Sequence, residues 1–544
     1  MALRSYLLWL YLLAATHRPM VAQPNVLTYH NDVARTGQNL AEITLTTGNV
    51  NSATFGKVFQ VTLDGVVDAQ PLYVAGISVS GQGTHNLLIA ATENDSLYAL
   101  DAHAGAQLWK VALLPAGETP SDDRGCSQVT PQIGITSTPA VALEAGTGGG
   151  AVFAVAMSKD SSGNYHQRLY KVSLATGTIL AVVAVTGKYP GTGDASSGGY
   201  VSFAASQYKE RSGLLLLGGV VYLAWASHCD DQPYTGWIMG YNAATLAQTT
   251  VIDVTPNGGE GAIWGAGAGL AADPRGYIYF LDANGTFDTT LNAQGFPNQG
   301  DYGNAFIKLS AAGGQLTVAD YFTMYNTTSE SDADEDLGSG GALVLPDMTD
   351  AAGQVRHLAI GAGKDGNIYL VNRDSMGKFN SQTDSAIYQE LDGALPGGIW
   401  SMPAYFRGQV YFGAVGGPIR GFQFSKAVLS STPASATSIT FPYPGATPSI
   451  SANGSTNGIL WAVENNSPAV LHAYLAGNLA QELYNTSQAA NGRDQFGAGN
   501  KFMVPTIANG RVYVGTPNGV AAFGLLGLPA ASPVGNQAST VAAP

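Results

Sequence analysis

Three carboxylates alternate in the stretch Asp332-Ala333-Asp334-Glu335-Asp336. Oxygen donors at every second residue are how EF-hand-type loops present themselves to Ca²⁺, but the rest of that loop motif is absent. A simple Ca²⁺ site and a solvated acidic loop both remain open. Lys364 follows 28 residues later in Gly363-Lys364-Asp365-Gly366, where it either opens a tight turn or offers a fixed cation. Asn284, in Asn284-Gly285, carries a hard amide oxygen suited to Ca²⁺, in a dipeptide that is also the commonest hairpin turn. Trp264, in Gly261-Ala262-Ile263-Trp264-Gly265, is a planar stacking surface or a core aromatic. The chain has 2 cysteines, Cys126 and Cys229. In an oxidising compartment one disulfide is the simplest account, with two inert thiols as the alternative.

Other chemistries find no support. The histidines show no metal-ligand spacing, and no Gly-x-Ser-x-Gly elbow or phosphate loop occurs. Lys+Arg number 24 against 38 Asp+Glu, a formal charge of −14, with no basic cluster to neutralise phosphates. Nucleic acid is therefore excluded as a partner.

The elements that must position these residues come from a repeat. Its clearest copy runs from Asn94 to Trp109: a polar turn, the strand Leu97-Tyr98-Ala99-Leu100, a second turn from Asp101 to Gly105, and a segment closing on Trp109. The short, β-rich strand and the glycine-ended turn describe two strands of a meander with an aromatic plug. Weaker copies recur to the end of the chain, so the repeat decides the fold. With 69 glycines and only 11% charged residues, the composition suits many tight turns and few amphipathic helices. Eight such units can be traced, the last holding Val504–Ile507, Arg511–Gly515 and Val520–Phe523 and then stopping a strand short. Phe55–Leu63 reads like the segment after each glycine turn and has no preceding strand of its own. It is expected to supply the missing strand and close the ring.

The fold class predicted is all-β, an eight-bladed β-propeller of four-stranded antiparallel blades. Seven blades are the alternative, because the third and fourth units are irregular. The expected organisation is a signal peptide over 1–22, with Arg4, an apolar core to Ala15 and cleavage after Ala22. An N-terminal extension over 23–54 packs on the finished fold, the propeller spans 55–528, and a disordered tail follows over 529–544.

The Leu97–Trp109 repeat resembles the tryptophan-docking repeat of the pyrroloquinoline-quinone (PQQ) alcohol dehydrogenase-like propellers, and the chain is also similar to secreted bacterial quinoprotein-like propeller proteins. The resemblance covers nearly all of the mature chain as repeats, but such repeats also build propellers that bind no quinone. It implies that Lys364 touches the quinone oxygens, where reduction builds negative charge. Asp336 would be the base that takes the alcohol proton, with Asp334 beside it. Asn284 and Asp336 would ligate Ca²⁺, with Asp231 at the place of the family's glutamate, and Trp264 would stack on the quinone. The adjacent Cys-Cys pair that covers the quinone in many of these enzymes is absent, and no Cys-x-x-Cys-His offers a haem. The expected cofactors are PQQ and calcium, and the expected substrate is a small alcohol or sugar. The alternative is a non-catalytic scaffold binding an extracellular protein or glycan. A monomer is expected, secreted or periplasmic, with no membrane span in the mature chain.

Overall fold

The computed structural model describes residues 25–265 and 267–527. The expected signal peptide and tail lie outside them. Eight antiparallel sheets follow one another in chain order, which decides between the two blade counts. Blade 1 takes Leu72–Val79, Gly83–Ala91, Ser96–Asp101 and Gln107–Ala112 from the axis outward. Blades 2 to 7 span 140–184, 215–253, 271–322, 343–391, 404–436 and 449–485. In blade 8 the strands Thr506–Ala508, Arg511–Thr516 and Gly519–Leu525 are joined by Phe55–Thr62, which pairs antiparallel with Gly519–Leu525. Among the described residues no helix is long and apolar enough to cross a membrane.

The repeat's residues explain the blades. The second strand of blade 1 ends in the run Leu87-Leu88-Ile89-Ala90-Ala91, all buried because neighbours cover both faces of the sheet. The outer strand alternates instead, and Trp109 is its inward residue. At the turn, Asp101 accepts hydrogen bonds from the His103 and Ala104 amides at 2.9 and 2.8 Å. Gly105 closes that turn with φ of +73°. Trp109 then reaches into blade 2, where its indole donates to the Leu174 carbonyl at 2.9 Å. It lies over Gly177, whose φ is +69° and whose missing Cβ would sit 2.8 Å from the ring. Glycine is required there twice, for the left-handed backbone and for the close approach. Where the ring closes, the Phe59 ring takes the equivalent place over Gly105 of blade 1, 2.8 Å from where a Cβ would stand.

The N-terminal extension does more than pack on a finished ring. It runs around the inner rim and bonds every blade in turn. Val26 pairs with Tyr73 of blade 1, and the Leu27 carbonyl accepts from Val141 of blade 2 at 2.8 Å. The carbonyls of Val33, Ala34, Thr36 and Gly37 accept from Ala272, Val344, Tyr405 and Ile450 of blades 4 to 7. Asn39 donates to the Ile507 carbonyl of blade 8 at 2.9 Å. Blade 3 is reached by Arg35, which is fully buried and donates to the carbonyls of Leu214 (3.1 Å), Leu270 (2.8 Å) and Tyr29 (2.7 Å) and to the Thr28 hydroxyl (2.8 Å). Burial pushes this guanidinium down to about 10, opposed by Asp32, so it stays charged at neutral pH.

Replacing Arg35 by Met strips four hydrogen bonds from buried acceptors. Urea unfolding of Arg35→Met should show a loss of about 3 kcal/mol or more. An unchanged midpoint would mean that the plug is held without it.

Candidate functional site

A cavity of about 280 Å³ opens at the channel mouth. The segments leading into the inner strands build most of it: Arg211 before blade 3, Trp264 before blade 4, Ser339 before blade 5, Trp400 before blade 6 and Phe502 before blade 8. Below it lies the plug, where the Tyr29 hydroxyl donates to the Gly267 carbonyl. Gly267 in turn abuts Phe502 and the Trp400 carbonyl, each 3.2 Å from where its Cβ would stand.

Three of the sequence candidates meet here. Asp336, Lys364 and Trp264 all line the cavity, as does Asp334. Lys364 Nζ lies 2.8 Å from Asp336 Oδ1 and also pairs with Asp334. The backbone holds this contact: the Lys364 amide donates to the Asp336 carbonyl at 2.9 Å. A Cβ on Gly363 would come within 2.4 Å of that same oxygen, so only glycine lets the two segments touch. Lys364 also borders a tight turn, in which Asp365 accepts the Asn367 amide at 3.1 Å and Gly366 has φ of +77°. The turn and the fixed cation are one structure rather than alternatives.

Burial raises the Asp336 carboxyl above its ordinary range, and Lys364 partly offsets this. The Lys364 ammonium is held above its ordinary value: burial alone would lower it, but the two carboxylates outweigh that. A carboxylate and an ammonium in contact at a cavity wall can accept a proton and stabilise developing negative charge side by side.

Asn284 stands one layer behind, its amide donating to Asp334 at 2.7 Å while its buried Oδ1 has no hydrogen-bond partner. Asp231 is exposed and does not line the cavity; its neighbour Asp230 does, and accepts the Tyr234 hydroxyl at 2.8 Å. Among the described residues no group of three or more His, Cys, Asp or Glu side chains converges to hold a metal ion. Asp334 and Asp336 are both paired with Lys364, so the donor set at Asn284 is incomplete for a divalent cation. A planar, electron-accepting ring fits better, since Trp264, Trp400, Tyr443 and Phe502 give flat apolar walls and Lys364 a cation.

Sequence reasoning missed Gln128, Arg211, Asp230, Ser339, Trp400, Tyr443 and Phe502. One signal was available: Gly397-Gly398-Ile399-Trp400 repeats the pattern Gly261-Ala262-Ile263-Trp264. Arg211 sits in Lys209-Glu210-Arg211, which has the look of a solvated charge run yet is buried throughout.

Cys126 and Cys229 form a disulfide with Cα atoms 5.5 Å apart, and Cys229 lines the cavity. It ties the loop after blade 1 to one within blade 3. Replacing both cysteines by serine frees a closed loop of 103 residues and should lower stability by about 2–4 kcal/mol. Hydrogen exchange should quicken around Cys126 and Cys229; unchanged protection would show that the loops hold without the bond.

No family model matches the chain, and no curated protein matches it. Solved structures do. The quinohemoprotein alcohol dehydrogenase of Comamonas testosteroni superposes with a TM-score of 0.60 at 14% identity, over 94% of this chain and 82% of that one. A europium-containing methanol dehydrogenase gives 0.58 at 11%, over 92% and 98%. BamB from Moraxella catarrhalis gives 0.50 at 12%, over 87% and 100%. At such identities the likeness is one of architecture, and the chain has the eight-bladed propeller fold of the quinoprotein alcohol dehydrogenases.

Proposed function

We propose that the cavity holds a planar quinone of the PQQ type and that the protein is a dehydrogenase-like quinoprotein acting on a small alcohol or sugar. The observation that carries this is the meeting of Trp264, Asp336 and Lys364 in one cavity, on the fold the quinohemoprotein alcohol dehydrogenases share. A bound quinone would supply the two-electron acceptor. Trp264 gives it a face to lie on. Lys364 offers its ammonium to the oxygens that gain charge. Asp336, kept dry by burial and partnered by that ammonium, takes the hydroxyl proton of the substrate. A calcium requirement stands as a separate question for the same test, because the donors around Asn284 are incomplete. The Cys126–Cys229 bond suits an oxidising setting, secreted or periplasmic.

A second reading rests on a different feature. The outer strand of blade 2 exposes Leu180 and Val182 by 54% and 51%, an apolar edge suited to a scaffold that meets another protein.

Reconstitution with PQQ, with and without Ca²⁺, separates the two. Saturable binding and dye reduction by an alcohol or sugar are expected, with Asp336→Asn keeping PQQ affinity within a few-fold and losing about 10²-fold or more in kcat. Absence of saturable PQQ binding in either condition would sink the dehydrogenase reading and leave the scaffold.

A further inference from the structure

Trp109 seals blade 1 against blade 2, but no indole seals blade 3 against blade 4. The residue of blade 3 at the same register is Thr250, which pairs with Gly240 beside a bulge as Trp109 pairs with Ala99. Its hydroxyl accepts the Leu316 amide of blade 4 at 2.8 Å. Beyond that bond a groove of about 820 Å³ stays open. One side is the outer strand of blade 3, Gln248–Asp253, and the other is residues 314–318, which lead into the outer strand of blade 4. Two excursions raise its walls. The hairpin of Lys188–Pro190 with Tyr200–Ser202 brings Tyr189. The long excursion of blade 4 between Ile278–Leu281 and Phe306–Ser310 brings Phe296, Asn298, Gln299 and Tyr302. The groove shares no lining residue with the channel-mouth cavity.

The lining decides the ligand. Asp253 is its one acidic side chain, and it holds no basic one. The Asp253 oxygens are already taken by the Thr235 hydroxyl at 2.6 Å and the Thr255 amide at 3.0 Å. Lys378 lies over the Phe296 ring at 4.1 Å, but it donates to the Gln294 carbonyl and is not part of the lining. A charged ligand therefore finds no free counter-charge among the lining residues. Tyr189 and Phe296 are half-buried, flat surfaces. The Tyr189 and Tyr302 hydroxyls and the side-chain amides of Asn298 and Gln299 make no hydrogen bond to any described residue. Rings beside free hydroxyls and amides match a sugar, whose C–H faces pack on aromatics while its hydroxyls both donate and accept. We propose that this groove binds a neutral oligosaccharide. Its volume suits a ligand of two or more rings rather than a lone sugar.

The test is calorimetric titration of the full chain, without PQQ, with cellotetraose, maltotetraose and the acidic tetragalacturonate. At least one neutral tetramer should bind saturably with a Kd of about 1 mM or tighter, and tetragalacturonate at least about tenfold more weakly than it. Thr250→Trp puts an indole where blade 1 carries Trp109 and should abolish that binding. Changing Asn298→Ala and Gln299→Ala together removes two exposed amides without touching the core and should weaken binding about fivefold or more. Weakened binding in this pair, with thermal unfolding unchanged, supports the groove even if Thr250→Trp does not fold. Three results would each overturn it: no saturable binding of either neutral tetramer up to about 10 mM, tetragalacturonate binding as tightly as the neutral tetramers, or affinity left intact by the paired substitution. PQQ takes no part in these titrations, so this proposal and the quinone reading fail separately.

Discussion

A single desolvated guanidinium holds the centre of the molecule. Arg35 has no carboxylate in hydrogen-bonding contact; its partners are four carbonyl oxygens and a hydroxyl from the extension and from the approaches to blades 3 and 4. Dipoles meet its charge by direct contact, while Asp32 acts on it through space. Each blade edge nearest the axis would otherwise end in unpaired backbone groups. The extension meets them one carbonyl or amide at a time, and Arg35 covers the gap at blade 3, where the chain turns through the left-handed residues His30, Asn31 and Arg35.

The cavity inherits its character from this arrangement. Tyr29, whose carbonyl accepts from Arg35, donates its hydroxyl to Gly267, and Gly267 abuts Phe502 and Trp400. What faces the cavity is charge of both signs set among apolar walls. Asp334 and Asp336 hold Lys364 between them. Arg211 lies 4.0 Å from the Phe502 ring, with Asp68 and Glu93 acting on it through space.

How much of this could be read from the chain varies with how local the signal is. The blades were legible because their cause is local: Asp101, Gly105 and Trp109 each act within a few residues, and the orphan strand around Phe59 carried the same pattern. The inter-blade docking of Trp109 on Gly177 is also a repeat property. The plug was not legible, because its course depends on positive-φ turns and on carbonyls hundreds of residues away. In the site, Lys364 could be singled out by its turn, Gly363-Lys364-Asp365-Gly366, and Trp264 by the resemblance that gives it a stacking role. Arg211 could not, because a Lys-Glu-Arg triplet looks solvent-facing until the ring buries it. Asp230 and Asp231 differ by one residue, and a left-handed backbone at Cys229 and Asp230 decides which of them faces inward.

The extension and the closing strand share one property: both precede the first blade in the chain, and both take their final partners from the last. Phe55–Thr62 waits for Gly519–Leu525, and Asn39 waits for Ile507. Segments that precede blade 1 therefore complete their contacts only when blade 8 is in place. The extension can meet the earlier blades one at a time, but its bond to Ile507 and the closing strand both need blade 8. Rim and clasp are thus completed by the same last blade.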